Sequence, residues 1–550
     1  MQKRWLQEYQ PGVPAEIDPG RYQSVVHMLN ESFAKYREKT AFECLGASLR
    51  YDQLDKYTRH LAAYLQARDL EKGDRVAIML PNILQYPIAA FAILRAGYTV
   101  VNVNPLYTPR ELEHQLIDSG AKAIIILEDF AVVLEQVISR TKVRHVIVAS
   151  MGEMLGALPG ATEDLVVRND KKMVPPFSLP DSITFKRTLT EGANLTFRPV
   201  ELEPDDLAFL QYTGGTTGVS KGAMLLHRNV VANLMQVQAW TAEALSDSEK
   251  YVVTPLPLYH IYPLSNCLLY ASIGGKNLLI PNPRDIPALI QELKHHRIDA
   301  IIGVNTLFNA LLATPEFHTL DFSGLKMVMG AGAAVQQAVA EKWQSITGAA
   351  LSEAYGLTET SPGVSVTPLH KPAWSGSVGV PLPSTMVSLR DENGKEVDVG
   401  ERGEVCIAGP QVMPGYWQRP EENATAFTED GYFKTGDVAT MDANGYIRIV
   451  DRIKDMILVS GFNVYPTEIE AAAALHPGVL EVACVGVPDD RSGEAVKVFI
   501  VKRDPGLTEE DVRNHCRQNL TGYKVPRHIE FRDVLPKSPV GKILRKELRT

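Results

Sequence analysis

The sequence predicts an α/β protein with a large N-terminal domain of two α/β subdomains plus a β unit, followed by a small α+β C-terminal domain. Three observations lead there. Val/Ile-rich runs alternate with helical patterns between Asp74 and Leu127, and again between Ile298 and Gly348. Past Gly379 the texture changes to short strands joined by turn residues. After Asp451 comes a tail of about a hundred residues, the usual size of a small domain.

Each element follows from its pattern. DRVAIML is a strand, PNILQYPIAAFAILRAG a Pro-capped apolar helix, YTVVNV a strand, TPRELEHQLIDSG a helix and KAIIIL a strand. Such alternation of unbroken apolar runs marks parallel strands buried on both faces. MVPPFSLPDS is Pro-rich and reads as a surface connection. The second block repeats the scheme: IDAIIGVN, a helix near Leu307 to Ala313, KMVMGAG, then VQQAVAEKWQSITG. Two blocks of one pattern suggest subdomains that face one another. VSLRDENGKEV, GEVCIAG and GYIRIVDR then form an antiparallel unit. The tail carries EVACVGVPD, AVKVFIVK and a helix from Thr508 to Gln518. The division is expected at 1–451 and 452–550, near Arg452 to Asp455, where charge interrupts the apolar strands. Clefts between a large and a small domain are common ligand sites.

Composition bounds the function. The 550 residues, 45% hydrophobic and 22% charged, are those of a globular protein with several structural units. A net charge of −9 argues against a nucleic-acid partner, which requires a basic face. Cys44, Cys267, Cys406, Cys484 and Cys516 lie far apart, with neither zinc nor disulfide spacing, and fit a reducing compartment. MQKRWLQEYQPG has no apolar core of signal-peptide length. The longest apolar candidate, Ile88 to Val101, is interrupted by Arg95 and Gly97, so a spanning helix is not expected. Trp5 and Leu6 are expected to dock against the body of the protein. The reading is cytoplasmic, with peripheral contact at the inner face of the membrane left open.

The run from Tyr212 to Gly222, YTGGTTGVSKG, concentrates the chemistry. Gly214, Gly215 and Gly218 let several backbone N–H groups converge on an anion. Thr213, Thr216, Thr217 and Ser220 add hydroxyls, and Lys221 adds a point charge suited to phosphate. Apolar DLAFLQY and AMLL flank it, so a loop held by buried strands outweighs a solvated linker. The spacing G-x-x-x-x-G-K-[ST] of nucleotide-hydrolase loops is absent, and so is G-x-G-x-x-G. The run predicts a polyphosphate cradle of another kind.

Four further segments stand in order after it: YGLTET at Tyr355–Thr360, YFKTGD as a strand ending in Thr-Gly-Asp at Tyr432–Asp437, DRIKDMILVSGFNVYPTEIE from Asp451, and PKSPVGKILRK from Pro536. Singly each reads as a turn, a hairpin or a solvated basic helix. Together with the glycine loop they resemble the adenylate-forming superfamily of acyl-CoA synthetases, peptide-synthetase adenylation domains and luciferases, over nearly the whole chain. NVNPLYTPRELEHQLIDSGA, PLPLYHIYPLSNCLLY, NPRDIPALIQELK and LTGYKVPRHIEFRDVLPKSPVGKILRKELR carry a nearer likeness, to the bacterial ligases that join long-chain fatty acids to coenzyme A.

The resemblance implies two half-reactions: a carboxylate and ATP give acyl-AMP and pyrophosphate, and the CoA thiol then displaces AMP. It implies Mg²⁺ on Glu359, an α-phosphate contact at Thr358, and adenine between Tyr355 and the pair Gly332 and Ala333. Asp437 and Arg452 would hold the ribose. Lys542 would be the catalytic lysine. Lys454 would be the hinge about which a mobile tail turns to bring Ser460, Gly461 and Phe462 to the pantetheine path. His260 would stand at the acyl-pocket entrance, with the tunnel lined after Asn229 and around Val304 to Leu312. The relatives make a homodimer plausible. Rival readings are delivery of the adenylate to a carrier protein, an aryl rather than fatty acid, and a scaffold that binds without turnover.

Overall fold

The computed structural model describes residues 3–156, 174–213, 220–246, 249–371, 374–460, 462–489 and 491–549. Among these residues the chain forms four sheets. In the seven-stranded sheet, Arg75–Met79, Thr99–Asn102, Ala123–Leu127 and His145–Ala149 pair in parallel, as their Val/Ile runs predict. Leu207–Thr213 joins them in parallel beside Thr99–Asn102, and Lys221–Leu226 closes that edge antiparallel. The second sheet has nine strands, centred on Tyr251–Thr254, Ala300–Gly303, Met327–Ala331 and Leu351–Gly356.

The two sequence blocks do map to two sheets, with one exchange. The hairpin Thr40–Cys44 and Ala47–Arg50, near the start of the chain, belongs to the second sheet, where Phe42 pairs in parallel with Asn277. Short strands carry too little pattern to reveal so distant a partner.

Helix boundaries follow their caps. Pro109–Ser119 opens on a Thr108/Glu111 capping box and stops at Gly120 in the left-handed region. The apolar helix runs over Gln85–Arg95 without a side-chain cap, so Pro81 lies outside it instead of capping it, and Pro87 sits inside its first turn. Every residue of this helix is buried, and Arg95 pairs with Asp55 at 2.8 Å. A helix apolar all round is here a core helix, and no described helix is long and apolar enough to cross a membrane. Trp5 is 1% exposed and packs where Gly445 leaves room for it, so it docks against the body as expected.

Met386–Arg390, Arg402–Ala408, Phe433–Met441 and Ile447–Arg452 form the antiparallel unit. Its third strand continues through Thr435-Gly436-Asp437 to Met441 instead of ending there, so Asp437 sits mid-strand, opposite Arg452. The tail builds a five-stranded sheet on the long pair Val479–Asp489 and Gly493–Lys502, covered by helices Pro466–Ala474 and Glu509–Asn519. Its own apolar cluster includes Ile469, Val482, Val498 and Val512.

Candidate active site

The flanks of the glycine run form the hairpin that their apolar composition predicts. Tyr212 faces Gly222 and Thr213 faces Lys221, and Ser220 directly precedes the second strand. Gly214, Gly215, Thr216, Thr217 and Gly218, with Val219, lie outside the described residues. The strand ends on both sides of them are braced. The Tyr212 hydroxyl donates to Asp118 at 2.6 Å, and Arg419 grips the same carboxylate at 2.5 Å. The Trp417 ring N–H donates to Asp118 O at 3.1 Å, and His114 Nε2 lies 3.2 Å from Ser220 O. Lys221 Nζ stands 3.2 Å from Glu422 and 5.7 Å above the Tyr416 ring.

A second group gathers at the ends of neighbouring strands. Tyr355 closes Leu351–Gly356 and donates its hydroxyl to Asp437 Oδ2 at 2.7 Å. Arg452 Nε holds Asp437 Oδ1 at 2.9 Å. Asp437 is therefore not a bare double acceptor, since each oxygen already has one protein donor and keeps one lone pair for a ligand. Gly332, with φ of +79°, and Ala333 stand exposed just past Met327–Ala331.

Thr358 and Glu359 share the short turn Thr358–Thr360. Glu359 is 8% exposed, and its Oε1 accepts from the Tyr416 hydroxyl at 2.7 Å. Burial pushes this carboxyl above the usual range, while the Tyr416 hydrogen bond and Arg452 oppose the rise. No group of three or more His, Cys, Asp or Glu among the described residues could hold a metal unaided. An ion at Glu359 would draw its other ligands from phosphate and water, and that donor set fits Mg²⁺.

Lys542 reaches this group from the tail. Its turn is closed by Ser538 N–H to Lys542 O at 2.7 Å, Gly541 N–H to Ser538 O at 2.8 Å, and Lys542 N–H to Ser538 Oγ at 3.1 Å. Gly541 adopts φ of +83°, and its carbonyl accepts from Thr306 Oγ1 at 3.0 Å. A β-carbon on Gly541 would lie 2.6 Å from that hydroxyl, and one on Gly332 would lie 3.1 Å from Lys542 Cε. Two glycines thus let the turn approach this closely. Crowding by protein, together with Arg452, lowers the Lys542 amine to about 8, against the pull of Asp437 and Glu359.

His260 precedes the helix Ile261–Ser272, with its ring 4.6 Å from Tyr259. Its Nε2 is buried without a partner, and burial plus Lys542 bring its pKa down to about 3, so the ring is neutral at pH 7. Leu307, Phe308 and Leu311, expected around the acyl tunnel, pack with Trp343 and Phe317 in one buried apolar cluster. Ser460 and Phe462 are not joined to the nucleotide-side group: Ser460 donates its N–H to Ser492 O at 2.7 Å, and Phe462 stacks on Tyr523 at 4.8 Å. Gly461 lies outside the described residues. Lys454 is exposed in the turn Ile453–Asp455.

Tyr416, Glu422, Asp118 and Arg419 escape sequence reasoning. MPGYWQRP reads as an ordinary turn, and Asp118 is only one acid on an amphipathic helix. Their signal is spatial.

Comparison with known proteins shows the family. The family model described as "AMP-binding enzyme" matches residues 29–417, and "AMP-binding enzyme C-terminal domain" matches 468–542. The long-chain-fatty-acid–CoA ligase of Escherichia coli O6:H1 is 56% identical over 551 residues, covering 100% of this chain and 98% of the relative. That of Haemophilus influenzae is 48% identical with the same coverage. The crystal structure of ATP-bound MatB from Rhodopseudomonas palustris superposes with a TM-score of 0.76 at 29% identity, over 95% of this chain and 98% of that one. A family model spanning most of the chain, and relatives matched from end to end, share one kinship: the chain belongs to the AMP-binding enzyme family.

Proposed function

We propose that this chain is an ATP-dependent ligase that converts medium- and long-chain fatty acids to acyl-CoA through an acyl-AMP, releasing AMP and pyrophosphate. The observation that carries this reading is the meeting of the tail's Lys542 with Gly332, in a cleft that also holds Asp437, Arg452 and Glu359. The end-to-end likeness to ligases named for long-chain fatty acids supports the substrate class.

In the first half, a carboxylate oxygen bonds to the α-phosphorus while the bond from that phosphorus to pyrophosphate breaks. Such transfers depend on positioning and on neutralising spread negative charge. Tyr212–Gly222 would hold the leaving pyrophosphate, with Thr213, Ser220 and Lys221 at its edges. Tyr355, Gly332 and Ala333 would take the adenine, and Asp437 with Arg452 the ribose. Thr358 would contact the α-phosphate. Glu359 would hold Mg²⁺, which when bound neutralises phosphate charge. Lys542 would bridge carboxylate and α-phosphate, and neutral His260 would stand beside the carboxylate as an uncharged donor or acceptor. In the second half, the CoA sulfur bonds to the acyl carbon as AMP leaves. We assign 1–451 to the large domain and 452–550 to the small one. Long-chain acids are gathered at membranes, so peripheral contact from the cytoplasm belongs to the same reading, as does a homodimer.

CoA-dependent AMP release, measured across fatty, aryl and short-chain acids, tests the substrate. A peak on medium or long chains is expected, and a peak on benzoate or acetate would sink the fatty-acid assignment. The family resemblance implies that the tail turns between the halves, and Lys454 lies in the connecting turn Ile453–Asp455. Lys454→Pro, which fixes φ there, should leave acyl-AMP formation near the parent rate. Thioester formation from preformed acyl-AMP should fall about tenfold or more, the scale of a blocked population shift. An unchanged second half would remove Lys454 as the hinge.

A further inference from the structure

Asp451 belongs to the large domain by its pairing: it lies in Ile447–Arg452, opposite Val438 of the antiparallel unit. Yet it is filled by donors from the tail. Its Oδ2 accepts from Thr467 N–H at 2.8 Å, in the first turn of helix Pro466–Ala474. Its Oδ1 accepts from Arg452 N–H at 2.8 Å and from Arg545 Nη1 at 3.1 Å. The Asp451 side chain is 1% exposed, so these bonds are shielded from water.

Arg545 stands three residues beyond Lys542 and is itself fully engaged. Besides Asp451, its guanidinium holds Glu470 at 2.6 and 3.0 Å and Thr467 Oγ1 at 3.2 Å. Asp455, 3.6 Å away, also pairs with Arg549 at 2.8 Å. Thr467 and Glu470 ride on a helix whose Ile469 and Ala473 are packed into the tail's own apolar cluster. Arg545, Thr467 and Glu470 therefore move as one body. Asp451 stays behind with the large domain if the tail turns at Ile453–Asp455. Both tail bonds to Asp451 therefore cross the pivot, and both are made when Lys542 is on Gly332.

We propose that Asp451 and Arg545 are positioning residues for Lys542: together they form a latch that holds the tail in the arrangement used for adenylation. The proposal rests on the reading of Lys542 given above. The physical reason is that a buried carboxylate with charge-assisted donors loses much when one donor leaves. The latch therefore favours one orientation without touching substrate. Its strength sets how much of the population has Lys542 in the cleft, and hence the rate of the first half.

Asp451→Asn keeps the shape of the side chain but gives up its charge toward Arg545. Adenylation, followed by ATP–pyrophosphate exchange, is expected to fall about tenfold. Thioester formation from preformed acyl-AMP is expected to hold or rise, which a merely structural loss would not produce. Spin labels report the orientation directly, on Val399→Cys in the large domain and Val534→Cys in the tail. Both positions are exposed, and all five native cysteines are buried. The distance distribution should broaden in Asp451→Asn. Arg545→Lys, which retains charge beside Glu470 but not the fork, should repeat the split more weakly and covers the case in which Asp451→Asn folds poorly. Equal loss in both halves with an unchanged distribution, or no loss in either half, would overturn the latch. Lys542→Ala run alongside separates the two ideas. If it spares adenylation, the role of Lys542 fails, while the label distances still judge the latch.

Discussion

Lys542→Ala should lower acyl-AMP formation by about two to three orders of magnitude, equivalent to about 3–4 kcal/mol of transition-state stabilisation. The turn that carries Lys542 is closed by its own hydrogen bonds and by Thr306, so truncation beyond Cβ leaves the backbone in place. What is lost is a cation beside the group formed by Asp437, Arg452 and Glu359. Thioester formation from preformed acyl-AMP should largely survive, because no carboxylate then attacks phosphorus. Pyrophosphate exchange and single-turnover thiolysis measure the halves separately, and equal loss in both would remove the lysine from this role. The lowered amine adds a pH signature. Desolvation and Arg452 bring the Lys542 amine down to about 8, so the adenylation rate should decline as pH rises from there towards the ordinary lysine range. An ordinary lysine would carry the plateau to about 10.

Glu359→Gln should be comparably severe, about a hundredfold or more on adenylation. The amide keeps the size of the side chain and an oxygen for the Tyr416 hydroxyl, so the fold is not at stake. It removes the carboxylate proposed here to hold a divalent ion, and with it the charge balance around a polyphosphate. Raising Mg²⁺ should recover part of the lost rate in Glu359→Gln and none in Lys542→Ala. An unchanged Mg²⁺ dependence would count against a metal at this residue.

Much of this was legible in one dimension because the signals are local. The apolar flanks of YTGGTTGVSKG specify a hairpin, whereas PKSPVGKILRK alone reads as a basic helix and only the family resemblance singles out Lys542. Thr108 with Glu111 marks a helix start that needs no partner elsewhere. What stayed hidden depends on residues far apart in the chain. Asp118 and Arg419 are separated by 301 positions, and nothing near either names the other. The Tyr355–Asp437 bond escaped for the same reason, and so did the latch at Asp451. Local rules also misled. A Thr-Gly-Asp triplet reads as a strand end, but the strand passes through it, with the glycine in the left-handed region. A proline before an apolar run reads as a cap, yet Pro81 lies outside the helix. Val304 to Leu312 reads as a tunnel wall or a core with equal ease, since both demand the same side chains, and its residues pack with Trp343 in a buried apolar cluster.

The early hairpin Thr40–Arg50 carries a cost that concerns the making of the protein. Its parallel neighbour, Lys276–Leu279, leaves the ribosome more than two hundred residues later. At ordinary elongation rates that is a wait of roughly ten to fifty seconds. During it, Phe42 and its neighbours form an apolar edge with no strand to receive it, the kind of edge that invites pairing with another chain. The helices and strands from Tyr51 to Leu226 can collapse meanwhile, but the second sheet cannot close from the front. Nascent chains stopped short of Leu279 should therefore depend on chaperone cover in a way the finished enzyme does not.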